Sequence, residues 1–268
     1  MTQYLPNTQA LKLLRQLLLV CAIQSTGRRA FLSKTGSTFS CGKREMASTV
    51  AGRSPFEKCP SGPVKATIIF FHGLGDQGNG WLQILSSHLT KHGVKVICPN
   101  AADRPVTLNF GMQMPAWFDL YGLSPDTPED VQGIKLATQY AHSLIQKEID
   151  AGVDPKKIVL GGFSMGGALA LHAALTLPIQ IGAAVGLSAF LLQRDVIAGQ
   201  CSANKALPVF LGHGRNDVLV PYSFGQMTEG KIKQFNPNVI FKAYPVDHST
   251  TDQELCDLTD WLKANLSL

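Results

Sequence analysis

A serine flanked by glycines is the strongest chemical signal in this chain. Gly162, Ser164 and Gly166 form a G-x-S-x-G pattern. A β-rich run ends just before the pattern and a helix-forming run begins just after it, which is the placement that a nucleophilic serine on a sharp turn requires. Side chains at positions 162 and 166 would collide with neighbouring backbone in such a turn. We therefore predict that Ser164 is a covalent nucleophile; the alternative is a glycine-rich turn without chemistry.

A serine hydroxyl is a poor nucleophile unless a base removes its proton and a third group orients that base. Asp217 follows a later apolar run, and His248 follows the last one. Groups that follow parallel strands meet at one edge of the sheet, so these two side chains and Ser164 are expected to converge there. We predict that Asp217 is the acid and His248 the base. Asp247 is less favoured as the acid because neighbouring side chains usually diverge.

Acyl transfer at a serine also needs two backbone N–H groups for the developing oxyanion. Met165 directly follows Ser164, and Leu74 lies in the glycine-rich segment 72–76 after the first apolar run. We predict that the N–H groups of Leu74 and Met165 supply this site. A simple glycine turn is the alternative at Leu74.

Strand-like and helix-like segments alternate in the part of the chain that must position these groups. Continuous apolar runs are typical of strands buried on both faces of a parallel sheet. The fold class is therefore α/β, one domain with a mostly parallel sheet and helices on both faces. Thr127 is predicted to cap a helix that begins at Pro128. The predicted strands are 64–71, 94–98, 157–161, 182–187, 207–212 and 239–244, and the predicted helices 81–92, 128–151, 165–176, 222–235 and 251–266.

Composition excludes several classes of protein. The chain has 268 residues, 45% of them hydrophobic, which is enough for a sizeable core. Of its 24 Lys and Arg, seven lie in residues 1–44, which leaves 17 against all 19 Asp and Glu. The body is therefore mildly acidic, and a nucleic-acid partner is not expected. No apolar run approaches the roughly 20 residues of a membrane span. The six cysteines form no CxxC pair and no Cys/His metal spacing, so we expect neither a disulfide framework nor a metal.

The N-terminal segment differs from the rest of the chain. Residues 1–44 contain no Asp or Glu, are rich in Arg and Ser, and begin with an amphipathic stretch around Leu11, Leu14 and Leu18. This composition predicts a mitochondrial transit peptide; a secretory signal is a rival, and a start at Met46 in some product is a third interpretation. We divide the chain into a targeting or dispensable leader, 1–45, a flexible entry segment, 46–63, and a catalytic domain, 64–268.

Five segments together resemble the acyl-protein thioesterase/lysophospholipase family of α/β-hydrolases. They are FFHGLGD (70–76), MPAWFDLYGLSPD (114–126), GGFSMGGALALHAALT (161–176), GRNDVLVP (214–221) and DHSTTDQE (247–254). The resemblance implies a triad of Ser164, Asp217 and His248, oxyanion donors at Leu74 and Met165, and no cofactor or metal. It also implies S-acylated proteins or lysophospholipids as substrates, a cytoplasmic location and transient contact with membrane surfaces.

The long segment 100–127 is expected to be functional because loops of this length in compact domains usually are. Its middle is rich in large apolar side chains, and with the resemblance we predict that they form a wall of the acyl channel. The alternative is that they cover the sheet edge. The predicted wall residues are Leu108, Met112, Met114, Trp117 and Phe118.

Three functions compete on this evidence. The first is a thioesterase that removes palmitoyl groups from protein cysteines, with lysophospholipid hydrolysis as a related activity. The second is a carboxylesterase for small soluble esters, because the triad chemistry does not distinguish a thioester from an oxygen ester. The third is a catalytically silent member of the fold that binds a ligand or partner. An intact Ser/Asp/His set argues against the third.

Overall fold

Seven strands form the central sheet of the computed structural model, which describes residues 50–124 and 126–268. Two further short strands form a separate antiparallel hairpin. In the main sheet the order is β1-β3-β2-β6-β7-β8-β9, and every neighbouring pair is parallel except β1 with β3. The strands are β1 Ala51–Lys58, β2 Ala66–Phe71, β3 Val94–Ala101, β4 Asp103–Val106, β5 Met112–Pro115, β6 Ile158–Phe163, β7 Ala183–Leu187, β8 Val209–Gly214 and β9 Val239–Tyr244.

Each of the six predicted strands is present, and the α/β class is confirmed. Strand β2 shows why the apolar runs are continuous, because all six of its residues are buried. Ile69 and Phe71 face one core, whereas Ile68 and Phe70 face the other. A strand covered on both faces has no solvent side, so the alternation of polar and apolar residues disappears.

Among the described residues, six α-helices cover the two faces of the sheet or connect its strands. They are α1 Gly78–Leu89, α2 Val131–Asp150, α3 Met165–Thr176, α4 Ile197–Gln200, α5 Tyr222–Lys233 and α6 Asp252–Leu266. Helices α1 and α6 contribute to one core, and α2 and α3 contribute to the other. In the part of the chain that the structure describes, no helix is both long and apolar enough to cross a bilayer.

The predicted start of α2 is wrong by three residues. Asp130, not Thr127, is the N-cap, and its carboxylate Oδ1 accepts a hydrogen bond from the N–H of Gly133 at 2.8 Å. An Asp side chain satisfies an orphan N–H in the first turn as well as a Thr does. Residue type alone therefore does not show whether Thr127 or Asp130 is the N-cap.

The prediction of a flexible entry segment over 46–63 is wrong for residues 51–58. They form β1, which pairs antiparallel with β3 at the edge of the sheet and opposes Phe56 to Cys98. An edge strand tolerates Pro55 and polar residues on both faces because the backbone groups on one of its sides form no hydrogen bonds to a neighbouring strand. Such a strand lacks the apolar run by which the others were recognised.

The segment 100–127 is more ordered than a loop. It contains the β4–β5 hairpin, in which Val106 opposes Met112, and then a stretch that enters the core. Trp117 has no exposed surface, and its Nε1 donates a hydrogen bond to the carbonyl of His72 at 2.8 Å. The prediction that Trp117 lines an acyl channel is therefore wrong. It packs edge-on against Phe71 and supports the loop that follows β2.

Candidate active site

Ser164 lies on the sharp turn between β6 and α3, with φ 53° and ψ −123°. This backbone conformation is sparsely populated for residues with a side chain and stores strain, which is common at functional positions. The flanking glycines make the turn possible. A Cβ on Gly162 would lie 2.3 Å from the backbone of Gly166, and one on Gly166 would lie 2.2 Å from the carbonyl oxygen of Phe71. The collisions predicted from the sequence pattern are confirmed.

Helix α3 fixes the serine from behind. Its residues from Met165 to Leu175 are all buried, so the helix cannot shift without opening the core. The N–H of Ser164 donates to the carbonyl of Leu187 at 2.8 Å, and its carbonyl accepts from the N–H of Ala168 at 2.9 Å. The helix N-terminus, where the dipole favours negative charge, therefore points at the serine.

Asp217 and His248 are brought together from two different loops, as predicted. His248 Nδ1 lies 2.7 Å from Asp217 Oδ2, and the carboxylate is fully buried. The other oxygen, Oδ1, accepts hydrogen bonds from the N–H groups of Leu219 and Val220 at 3.0 and 2.9 Å. A carboxylate fixed in this way holds the proton of the imidazole on Nδ1 and leaves Nε2 to accept another.

A second histidine packs against the same carboxylate. His213 Nε2 donates to the carbonyl of Val220 at 2.9 Å and lies 3.5 Å from Asp217 Oδ2. Burial lowers the pKa of His213, so its ring is neutral at neutral pH. It thereby helps to hold the 217–220 turn that carries the acid. This role could not be predicted from the sequence, because it depends on a contact across the turn.

An aromatic contact places His248 beside the serine turn. Its imidazole packs on the ring of Phe163, the residue that precedes Ser164, with the ring centroids 4.8 Å apart. Phe163 in turn packs on Trp81 of α1, at 5.2 Å between centroids. The histidine is thus supported on one side by Asp217 and on the other by the stacked rings of Phe163 and Trp81.

The glycine-rich loop after β2 also approaches Ser164. A Cβ on Gly73 would lie 3.4 Å from the Cβ of Ser164, so the backbone of Gly73 is close to the serine turn. Leu74 is the next residue in the chain. The N–H of Gly75 donates to the carbonyl of Pro115 at 2.9 Å and anchors the loop. The structure therefore places Gly73, the residue before Leu74, against the turn that carries Ser164 and Met165, and the donor roles of Leu74 and Met165 stay a prediction.

His72 explains how this loop keeps its shape. Its Nε2 accepts a hydrogen bond from the N–H of Ala101 at 3.0 Å, so the proton is on Nδ1, which donates to the carbonyl of Gly73 at 2.7 Å. Desolvation lowers the pKa of this fully buried ring and keeps it neutral. The role of His72 is therefore to hold the loop, through hydrogen bonds made by both ring nitrogens.

A largely apolar cavity lies among the segments that follow β5 and β7 and along α5, and Ser164, Asp217 and His248 are not among the residues that line it. Of the predicted acyl-channel residues, Phe118 borders it. Leu108 and Met114 pack in or against the core, Met112 is 43% exposed on the hairpin, and their contact with an acyl chain stays a prediction. The apolar lining also includes residues that the sequence analysis did not single out: Leu120, Leu123, Phe190, Leu192, Phe224 and Met227.

Comparisons with known proteins agree with this geometry. The sequence model of the family described as Phospholipase/Carboxylesterase matches residues 54–266. Acyl-protein thioesterase 1 of Gibberella zeae is 40% identical over 213 residues, which are 75% of this chain and 91% of that protein. Acyl-protein thioesterase 1 of Kluyveromyces lactis is 38% identical over 216 residues, 77% of this chain and 94% of that protein. The crystal structure of Zea mays acyl-protein thioesterase 2 superposes with a TM-score of 0.73 at 34% identity, covering 80% of this chain and 99% of that one.

Proposed function

Because this chain belongs to the phospholipase/carboxylesterase family of α/β-hydrolases, we propose that it is a serine thioesterase that removes long S-acyl groups from protein cysteines. The observation that carries the proposal is the Asp217–His248 pair, whose imidazole packs on Phe163 beside the strained turn of Ser164. A binding module has no need for a buried carboxylate that fixes the tautomer of a histidine next to a strained serine. The names of the relatives at 38–40% identity support the thioester substrate.

The proposed reaction follows from the roles of these atoms. His248 Nε2 takes the proton of Ser164 Oγ as the oxygen attacks the acyl carbonyl carbon. The carbonyl oxygen becomes an oxyanion, which the N–H groups of Leu74 and Met165 stabilise. The C–S bond then breaks, and the imidazolium returns its proton to the departing cysteine sulfur. Water, deprotonated by the same histidine, hydrolyses the acyl-serine and releases the fatty acid.

The oxyanion site uses backbone donors, so its chemistry does not depend on the side chain at position 165. The family resemblance leads us to expect Gln after the nucleophile, whereas this chain has Met165, which is 1% exposed. The methionine side chain packs into the core and leaves its N–H at the first position of α3.

We place the acyl chain in the apolar cavity, which none of the three triad residues borders, and this placement favours a long acyl group over a short one. A fatty chain gains roughly 0.8 kcal/mol for each methylene that it buries. Residues from three segments, including Leu123, Phe190 and Met227, offer such a surface. An acetyl or butyryl ester would leave most of this surface uncovered.

A comparison of substrates tests the proposal. Initial rates on an S-palmitoylated peptide and on p-nitrophenyl acetate, butyrate and palmitate would be measured with the purified chain, with Ser164→Ala as the matched control. We expect kcat/KM for the palmitoyl thioester to exceed that for the acetyl ester by roughly tenfold or more, because burial of the extra methylenes lowers the barrier. Rapid acetyl-ester hydrolysis without cleavage of the palmitoyl thioester would instead identify a carboxylesterase for small esters.

A further inference from the structure

Three side chains with metal-binding atoms, none of them a triad residue, meet between α1 and α6. His88 lies in the last turn of α1, and Asp252 and Cys256 lie in the first turns of α6. One ligand atom from each of them lies within 4.8 Å of the others, and this is the one such group among the described residues. Because Asp252 and Cys256 are four residues apart on a helix, they share a face.

One of the distances between these atoms matches that of a tetrahedral zinc site, and a second approaches it. His88 Nε2 lies 3.3 Å from Asp252 Oδ1, and Cys256 Sγ lies 4.0 Å from Asp252 Oδ2. Zinc–ligand bonds of 2.0–2.3 Å at tetrahedral angles place neighbouring ligand atoms about 3.3–3.6 Å apart. The nitrogen–oxygen pair already meets this value, whereas the sulfur faces the other carboxylate oxygen at 4.0 Å, so zinc binding requires the side chains of Cys256 and Asp252 to rotate until one oxygen faces both partners.

An ion pair explains only part of this arrangement. Asp252 at the start of α6 and His88 at the end of α1 each interact favourably with the dipole of their own helix. Their opposite charges also attract one another when the histidine is protonated. This accounts for two of the three groups, but it gives no reason for a thiol at the same point. Cys256 is exposed and carries a free thiol, and imidazole, carboxylate and thiolate together are a donor set suited to zinc.

We propose that His88, Asp252 and Cys256 form a zinc-binding site that clips the start of α6 to the end of α1. Asp252 has an 86% exposed side chain, so the fourth position is open to water. The zinc site would join α1, near the start of the domain, to α6 at its end. Helix α6 begins four residues after His248. Occupancy should therefore stabilise the fold, since a ligand that binds only the folded state shifts unfolding. The inference rests on this geometry and not on the proposed thioesterase function.

Metal titration of the full chain under a phosphine reductant tests the site. Zinc affinity would be measured by competition with a chromophoric chelator, and cobalt(II) would report thiolate ligation through its sulfur-to-metal charge-transfer band. We expect His88→Ala and Cys256→Ser to weaken zinc binding by roughly tenfold or more and to abolish the rise in Tm with zinc. Cys256→Ser should also abolish the cobalt charge-transfer band.

Two matched variants control the experiment. His92→Ala removes a histidine one turn further along the chain, and Cys59→Ser removes another exposed cysteine. Both should bind zinc and cobalt as the unaltered chain does. Unchanged zinc affinity in both His88→Ala and Cys256→Ser, or equal losses in the two control variants, would overturn the proposal.

Discussion

The carboxylate of Asp217 is buried with both oxygens engaged, and this determines how His248 acts. Oδ1 is held by two backbone N–H groups, and Oδ2 is held by the imidazole. The carboxylate therefore cannot rotate away, and the histidine keeps one tautomer. Asp247, the neighbour of His248, is exposed and accepts a bond from the hydroxyl of Ser249.

Asp217→Asn should lower kcat on a p-nitrophenyl ester by roughly three to five orders of magnitude, because an amide that donates to Nδ1 leaves the proton on Nε2. Asp247→Asn is the matched control and should retain near-normal kcat. The reverse order of these two activities would show that the acid is Asp247.

The placement of the three candidate triad residues was largely predictable because each of them follows its own strand. The order of a serine turn, an acid after β8 and a histidine after β9 is visible in the sequence. The contributions of His213 and Phe163 were not predictable, since both depend on packing between segments distant in the chain. The cluster of His88, Asp252 and Cys256 was not predicted for the same reason. A sequence indicates metal ligands by their spacing within one segment, whereas these three residues come from two distant helices.

At the scale of elements, the apolar middle of segment 100–127 divides into two roles. Trp117 is completely buried and hydrogen-bonded to the loop after β2, whereas the cavity is bordered by residues such as Leu123 and, on α5, Met227. Hydrophobicity alone could not separate them, because core and ligand-binding surfaces have the same composition.

Met227→Gln should raise KM steeply for palmitoyl substrates and little for butyryl esters, because Met227 is 38% exposed and borders the cavity. Trp117→Gln should instead lower activity on both and reduce the free energy of unfolding by roughly 3–5 kcal/mol. Steady-state kinetics and urea unfolding of both variants provide the check. Equal losses across chain lengths for Met227→Gln would exclude this cavity as the acyl site.

Helix α6 carries a buried acid that links stability to pH. Burial raises the pKa of Glu254 to about 7, and the hydroxyl of Thr250 donates to its Oε2. Between the unfolded pKa, near 4.5, and pH 7, the folded chain keeps a proton that the unfolded chain has released. The free energy of unfolding must therefore fall as pH rises through this window, by up to roughly 3 kcal/mol.

Glu254→Gln should remove this fall, because the amide is neutral at every pH. Urea unfolding at pH 5 and pH 8 would be compared for the unaltered chain and the variant. Asp260→Asn, which alters a 77% exposed acid on the same helix, is the control and should keep the original slope. An unchanged slope in Glu254→Gln would show that another group governs the dependence.

At the scale of the whole molecule, the compact unit that holds the site starts before the first apolar strand. Contacts group residues 46–268 together, and β1 covers the open edge of β3. The leader, 1–45, lies outside the described residues. It contains no triad element, and we propose that it is dispensable for chemistry.

A chain that begins at Met46 should fold and hydrolyse esters with a kcat close to that of the full chain. A chain that begins at Val64 lacks β1 and exposes the backbone of β3, so we expect lower stability and aggregation. Thermal unfolding and size-exclusion chromatography of the two truncated chains distinguish the cases. Insolubility of the chain from Met46 would show that the leader packs on the domain.

The identity of the nucleophile is the claim on which the whole account depends. A fluorophosphonate probe, which reacts with activated serines, would be applied to the full native chain and the labelled peptide mapped by mass spectrometry. We predict a single label on Ser164, lost in Ser164→Ala while circular dichroism and Tm stay close to those of the unaltered chain. A label on another serine, or undiminished ester hydrolysis by Ser164→Ala, would contradict the account.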